Sequence, residues 1–182
     1  MQPGPKIGEA HVPKLAASLV AVLAAVMFCG AGVALARVVL HGAPFAEWHS
    51  AALLASVIVL IPAHEGLHAL GLRWFARVPW TEVRFGVMWR ILSPYCRCMA
   101  PIPIQAFRRM VLLPLYVTGG TTVALLLLFP ADWTALVAGT AIAICTGDVW
   151  VAAKLSRFAG NLLALDSPSE IGCDVFAPAA GT

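Results

Sequence analysis

The sequence is poor in charge. Only 12% of its 182 residues are Asp, Glu, Lys or Arg, whereas 60% are hydrophobic, and the mean hydropathy is +0.86. A disordered chain or an ordinary soluble domain carries many more charged residues. The composition therefore predicts a protein whose main solvent is a lipid bilayer.

Other common signatures are missing as well. No internal repeat, heptad run or low-complexity tract is visible, which excludes solenoids and coiled coils. The five cysteines form no obvious disulfide set, and we predict a reducing compartment. The Pro- and Gly-containing residues 1–13 and the tail after Gly160 look flexible.

Long apolar stretches are what the sequence has in quantity. About 20 residues are needed to cross roughly 30 Å of hydrocarbon, and four stretches qualify: 14–40, 51–76, 106–129 and 133–157. The first is too long for the apolar part of a signal peptide and has no obvious cleavage site, so we interpret it as a retained span. The predicted fold class is an all-α membrane protein with four transmembrane helices.

A short segment between the second and third stretches has a different pattern. Residues 80–103 partly alternate between apolar and polar side chains, which predicts a small cytoplasmic β-hairpin that turns near Ser93-Pro94. The predicted organisation is an N-terminal cytoplasmic segment (1–13), one four-helix transmembrane domain (14–158) and a C-terminal cytoplasmic tail (159–182).

The basic residues predict the orientation. If the N-terminus is cytoplasmic, Arg37 is the single one of the twelve Lys and Arg residues that falls on the outer side, as the positive-inside rule expects. We therefore predict a multi-pass protein of the cell membrane with both termini in the cytoplasm. Topology then accounts for the net charge of +3, and no nucleic-acid partner is expected.

Residues 64–68 read HEGLH, the HExxH pattern. On a helix, His64 and His68 lie on one face and can both coordinate zinc, while Glu65 is placed to accept a proton from the attacking water. Ionisable side chains inside a membrane span are costly and usually functional. The alternative is that these polar residues pack against other helices or line a channel.

A catalytic zinc ion needs a third protein ligand. Trp74 stands where the metzincin pattern has its third histidine, and Glu82 and Glu170 lie outside the spans. These observations argue against metzincin-type and glutamate-completed sites.

Asp148 is the only acidic residue within the predicted third and fourth spans. At 1.5 Å per residue, Asp148 and His68 both lie roughly 12–14 Å below the cytoplasmic surface, so they can meet. We predict Asp148 as the third ligand, with Asp166 and Asp174 of the tail as alternative ligands. The other interpretation is that Asp148 binds no metal and is hydrogen-bonded to a neighbouring helix.

Several other residues could serve a site. His41 and His49 could bind a metal on the outer side. Cys96 and Cys98 could ligate metal or react with oxidants, although thiols placed in this way are more often just packed side chains. Cys145 lies one helical turn before Asp148, on the same face, where it could support the metal site.

Together these residues resemble the zincin peptidase family of integral membrane proteins, which is similar in its logic to the site-2 proteases. The resemblance covers most of the chain from residue 60 onward. The matching features are HEGLHALG at 64–71, YCRC at 95–98 running into PIP at 101–103, Gly147-Asp148, and the 166–168 segment leading to Gly172-Cys173.

The resemblance implies that His64, His68 and Asp148 are zinc ligands and that Glu65 is the general base. It also implies that the hairpin holds a substrate segment in extended form at its edge. The aspartate of site-2 proteases belongs to a longer LDG-type signature, of which this chain has only Gly147-Asp148.

The sequence therefore predicts an intramembrane metalloprotease that binds one zinc ion per chain and hydrolyses membrane-protein or peptide substrates. The alternative is a non-catalytic membrane protein, either a metal-binding or transport module or an inactive protease-like scaffold.

Overall fold

The computed structural model describes residues 3–39, 41, 48–89, 93–167 and 170–179. The chain divides into two compact units. Unit 1 consists of residues 1–17, 65–113 and 147–182, and unit 2 of residues 18–64 and 114–146.

Helices make up most of the structure. They are α1 (Lys14–Ala34), α2 (Trp48–Phe75), α3 (Ile104–Pro114), α4 (Gly120–Leu128), α5 (Asp132–Ile144) and α6 (Thr146–Leu155). Four helical stretches are long and apolar enough to cross a membrane: Lys14–Val39, His49–Phe75, Ile104–Leu128 and Asp132–Leu155. They agree closely with the four predicted stretches, so the prediction of four such helices is confirmed.

The prolines inside these helices do not end them. Helix α2 continues through Pro62. After Pro114 the chain forms a π-helical segment, Leu115–Gly119, which continues into α4. The Thr118 hydroxyl donates a hydrogen bond to the Pro114 carbonyl at 2.7 Å, which satisfies a backbone acceptor that a regular helix would pair internally.

Unit 1 contains a four-stranded antiparallel sheet that the prediction of an all-α chain with a single hairpin leaves out. Its strands are β1 (Pro3–Val12), β4 (Ile102–Pro103), β5 (Leu163–Asp166) and β6 (Ile171–Pro178), in the order β1-β6-β5-β4. Most of the segments 1–13 and 163–178, which we expected to be flexible, are therefore strands.

Long-range pairing explains why the sequence did not reveal this sheet. Strand β1 contains prolines and glycines, which are poor strand formers. Its stability comes from β6, because Ala10 pairs with Cys173 and Val12 with Ile171, and Ala10, Val12 and Cys173 are fully buried. These partners are about 160 residues apart, so no local pattern announces them.

The predicted hairpin is confirmed as β2 (Val83–Met88) paired antiparallel with β3 (Ser93–Cys98). The predicted turn position is wrong, because Ser93 and Pro94 already belong to β3 and pair with Met88 and Val87. The connection lies between Met88 and Ser93, and residues 90–92 of it lie outside the described residues.

One apolar core holds unit 1 together. It combines Ala69 and Leu72 from α2 with Phe107 from α3, Leu155 from α6 and Val175 from β6. Phe107, Leu72 and Leu155 are at most 2% exposed, and each such side chain stabilises the packed state by about 1.5–3 kcal/mol relative to exposure to water. This core fixes the carboxyl-terminal half of α2 against α3 and α6.

Small residues and an ion pair contribute to the packing of unit 2. A Cβ on Gly139 would lie 2.6 Å from the Cys29 nitrogen, so glycine permits α1 and α5 to approach closely. Arg37 forms a bidentate pair with Asp132, in which Nε donates to Oδ1 at 2.8 Å and Nη2 donates to Oδ2. Asp132 is buried, and its charge gives Arg37 a partner in this unit.

Candidate metal centre

Helix α2 carries the HExxH residues in its interior, well away from both ends. His64 is 8% exposed and His68 is 7% exposed, so both imidazoles are withdrawn from solvent. Buried polar side chains require partners. The partners of each histidine therefore determine which ring nitrogen can bind a metal.

His68 has defined neighbours from two other helices of unit 1. Its Nδ1 lies 3.3 Å from the Met110 carbonyl oxygen of α3. Its Nε2 lies 3.5 Å from Oδ2 of Asp148 in α6. The opposite edges of the ring are thus directed at a backbone acceptor and at the predicted third ligand.

A glycine allows the contact between His68 and Met110. A Cβ on Gly71 would lie 3.0 Å from both the Cα and the Cγ of Met110. Any larger residue at this position would push α3 away from α2 and draw the Met110 carbonyl away from His68.

His64 has its partner at the junction of α5 and α6. Its Nδ1 lies 3.8 Å from the Cys145 sulfur, and the same sulfur lies 3.2 Å from the Ala141 carbonyl oxygen. Cys145 is fully buried. The structure therefore places Cys145 in contact with His64, and its support of a metal site stays a prediction.

His64, His68 and Asp148 form a group whose ligand atoms all lie within 4.8 Å of one another. The two histidines are held one turn apart by the hydrogen bonds of the continuous helix α2. Two imidazole nitrogens and one carboxylate oxygen form a donor set that suits a catalytic zinc ion with an open position. The residues present fit zinc.

Glu65 lies next to His64 on α2 and is partly buried. The pKa of the Cys96 thiol is raised to about 12, mainly by burial and to a smaller extent by the negative charge of Glu65. An electrostatic effect of this kind requires that β3 runs near Glu65. Strand β3 of the hairpin is therefore within reach of the charge of the predicted general base.

Asp166 and Asp174, the alternative third ligands, are engaged elsewhere. Asp166 Oδ2 accepts a hydrogen bond from the Cys98 backbone N–H at 2.6 Å, and burial raises the pKa of this carboxyl to about 6. Asp174 lies 2.9 Å from the Lys6 Nζ. Among the described residues, neither belongs to the group formed with His64 and His68.

Sequence reasoning missed a second cluster, in which Glu9, His11 and Asp174 bring ligand atoms within 4.8 Å of one another. The Lys6 ammonium lies 3.2 Å from the Glu9 carboxylate and 2.9 Å from that of Asp174. A cation of the chain already occupies this position, so we interpret the cluster as an ion-pair network. The pairing of β1 with β6 creates it, and no sequence spacing signals it.

The cysteines and the outer histidines that could have bound a metal lie in other surroundings. Burial raises the pKa of the Cys98 thiol to about 11. With pKa values this high, the Cys96 and Cys98 thiols are protonated near neutral pH, and a protonated thiol is a poor metal ligand. His49 stacks on Trp133 with ring centroids 6.2 Å apart. In the described part of the chain, neither His41 nor His49 belongs to a metal-ligand group.

Comparison with known proteins identifies the family of the chain. No curated protein and no solved structure matches the chain. A family model described as "putative zincin peptidase" matches residues 57–163, which is more than half of the chain. The matched range contains His64, Glu65, His68 and Asp148, and the chain therefore belongs to the zincin peptidase family described by this model.

Proposed function

We propose that this protein is an intramembrane zinc metallopeptidase that hydrolyses peptide bonds of membrane-associated substrates. Membership of a zincin peptidase family supports peptide hydrolysis. The observation that carries the proposal is the convergence of His64, His68 and Asp148, with Glu65 between the histidines, on helices apolar enough to cross a membrane.

The side chains of His64, His68 and Asp148 would hold one zinc ion per chain. A bound zinc ion supplies a Lewis acid that polarises a carbonyl oxygen and lowers the pKa of water from 15.7 to about 7. The Asp148 carboxylate adds a negative charge beside two neutral imidazoles, which favours a divalent cation over a neutral ligand.

Glu65 carries the proton. Its carboxylate accepts a proton from the water as the water oxygen forms a bond to the carbonyl carbon of the substrate. The same carboxyl group then donates that proton to the amine nitrogen as the C–N bond breaks. The water is consumed, one product gains a carboxyl group, and Glu65 returns to its starting state.

Exposed apolar side chains on the long helices favour a membrane-associated substrate. Large apolar side chains of α1 and α2 are exposed along their length, among them Leu23, Met27 and Ile58, as expected of helices that face lipid. A helical substrate hides its carbonyls and must become extended before cleavage. The hairpin β2–β3 near Glu65 can bind such a segment by backbone pairing at its edge.

Zinc content tests the proposed ligands directly. The experiment compares detergent-purified wild type with His64→Ala, Asp148→Ala and, as a matched control, Asp166→Asn. We expect one zinc ion per chain in wild type and in the control, and loss of zinc in the two ligand variants. A well-folded wild type that contains no zinc after supplementation would overturn the proposal, and zinc lost in Asp166→Asn but kept in Asp148→Ala would reassign the third ligand.

A further inference from the structure

The hydrogen-bond partner of one ring nitrogen of a neutral histidine decides which nitrogen keeps the lone pair that can bind a metal. For His68 this partner is the backbone carbonyl of Met110. The Met110 carbonyl can only accept a hydrogen bond, so the Nδ1 that lies 3.3 Å from it carries the hydrogen. The lone pair of a neutral His68 is then on Nε2, the nitrogen that lies 3.5 Å from the Asp148 carboxylate.

For His64 the neighbour is a thiol, which can donate or accept. The Cys145 sulfur lies 3.2 Å from the Ala141 carbonyl and 3.8 Å from His64 Nδ1. A thiol has a single hydrogen, and the carbonyl oxygen is the better acceptor at the shorter distance. The thiol hydrogen therefore points to Ala141, and the sulfur accepts from His64 Nδ1–H.

We propose that Cys145 is a positioning residue that holds His64 in the Nδ1–H tautomer, so that Nε2 has the lone pair for the metal. This inference rests on the proposed zinc site. In this arrangement the Nδ1–H of each histidine has an acceptor, which is the Cys145 sulfur for His64 and the Met110 carbonyl oxygen for His68. Such partners fix the ring orientation and the tautomer of metal-binding histidines.

The position of Cys145 suits this role. It follows the last residue of α5, with φ −81° and ψ −4°, and its N–H donates to the Ile142 carbonyl at 3.1 Å. The side chain is fully buried. The hydrogen bond therefore holds the Cys145 backbone, and burial restricts the direction of its thiol. Cys145 lies three residues before the predicted ligand Asp148.

Cys145 is a partner of His64 rather than a fourth ligand. Among the described residues, the group whose ligand atoms all lie within 4.8 Å of one another contains His64, His68 and Asp148, and the Cys145 sulfur does not belong to it. A catalytic zinc site also needs a position for water and substrate, which a thiolate ligand would occupy.

The first test reads the tautomer in metal-free protein. Full-length protein labelled with ¹⁵N-histidine is studied by NMR in detergent at a pH where the imidazoles are neutral, and His64→Ala identifies the His64 signals. We expect the Nδ1–H tautomer of His64 in wild type and in Cys145→Ser, and a mixture of tautomers in Cys145→Ala. An Nε2–H tautomer in wild type, or no change in Cys145→Ala, overturns the inference.

The second test measures zinc affinity by competition with a chelator. Loss of such a partner typically lowers metal affinity 10–100-fold, so we expect at least a tenfold loss in Cys145→Ala and less than a threefold loss in Cys145→Ser. Cys29→Ala is the matched control, because Cys29 also contacts a backbone carbonyl, that of Leu136, in unit 2. An equal loss in Cys29→Ala overturns the inference, because a general packing effect would then explain both.

Cobalt substitution separates a partner from a ligand. A thiolate-to-cobalt charge-transfer band that disappears in Cys145→Ala would make Cys145 a ligand and overturn the positioning role. The tautomer measurement needs no metal. If wild type binds no zinc, the proposed function fails, whereas the tautomer of His64 still decides the part played by Cys145.

Discussion

Glu65 is the residue whose replacement separates catalysis from metal binding. Glu65→Gln keeps the shape of the side chain but removes the proton acceptor. We expect peptide hydrolysis to fall by roughly 10²–10⁴-fold, the range typical of a lost general base, while zinc content stays at the wild-type level.

The measurement uses single-span transmembrane peptides reconstituted with the protein, and mass spectrometry of the products. Loss of zinc together with activity would assign Glu65 a role in binding. Retained activity in Glu65→Gln would contradict its role as the general base.

The buried carboxyl of Asp166 should make the free energy of unfolding depend on pH. Burial raises the pKa of its carboxyl to about 6 in the folded state, from 3.8. Between these values the folded protein retains a proton that the unfolded chain releases. The contribution of Asp166 to the free energy of unfolding therefore falls as the pH rises from about 4 to about 6, and changes little above that.

Asp166→Asn removes this contribution and can keep the acceptor for the Cys98 N–H. Thermal unfolding in detergent at pH 4.5 and pH 7 measures this. From pH 4.5 to pH 7 the free energy of unfolding of the wild type should fall by about 2 kcal/mol more than that of the variant. Identical pH dependence in both proteins would mean that Asp166 titrates normally.

At the scale of the helices, Gly71 and Gly66 form a matched pair on α2. A methyl group at Gly71 would meet Met110 at 3.0 Å, whereas nothing among the described residues lies within 4 Å of a methyl group at Gly66. Gly71→Ala should displace α3, weaken the contact of His68 with Met110 and lower zinc affinity about tenfold.

Gly66→Ala should preserve zinc affinity and stabilise the helix by up to about 1 kcal/mol, because alanine is the better helix former. Chelator competition and thermal unfolding measure both quantities. Equal zinc affinities in the two variants would show that the approach of α3 to α2 does not support the metal site.

At the scale of the whole molecule, the pairing of β1 with β6 ties the two ends of the chain together. Residues 3–12 and 171–178 can pair only if they lie on the same side of a membrane, which requires an even number of crossings. The four helices that are long and apolar enough meet this requirement. From the distribution of Lys and Arg we predict that this side is cytoplasmic.

We therefore expect tags at both termini to be accessible in inside-out vesicles and protected in right-side-out vesicles. Protease protection followed by immunoblotting measures this. Tags on opposite sides would contradict the sheet and the four-crossing topology together, whereas both tags on the outer side would contradict only the orientation.

The sequence alone determined the features that depend on neighbouring residues. Hydropathy over a window of about 20 residues located the four apolar helices, and the i, i+4 spacing placed His64 and His68 on one helix face. The alternation in residues 80–103 revealed the hairpin, although the turn was placed too late because β3 begins with Ser93-Pro94.

Only the tertiary structure decided the features that depend on distant residues. It paired β1 with β6, grouped Asp148 rather than Asp166 with the two histidines, and put Cys145 behind His64. The assignment of Asp148 as a ligand stays a prediction until zinc is measured. Such contacts join residues about 80 or more positions apart, and they form because buried surface and hydrogen bonds offset the entropy of closing long loops, which no local pattern records.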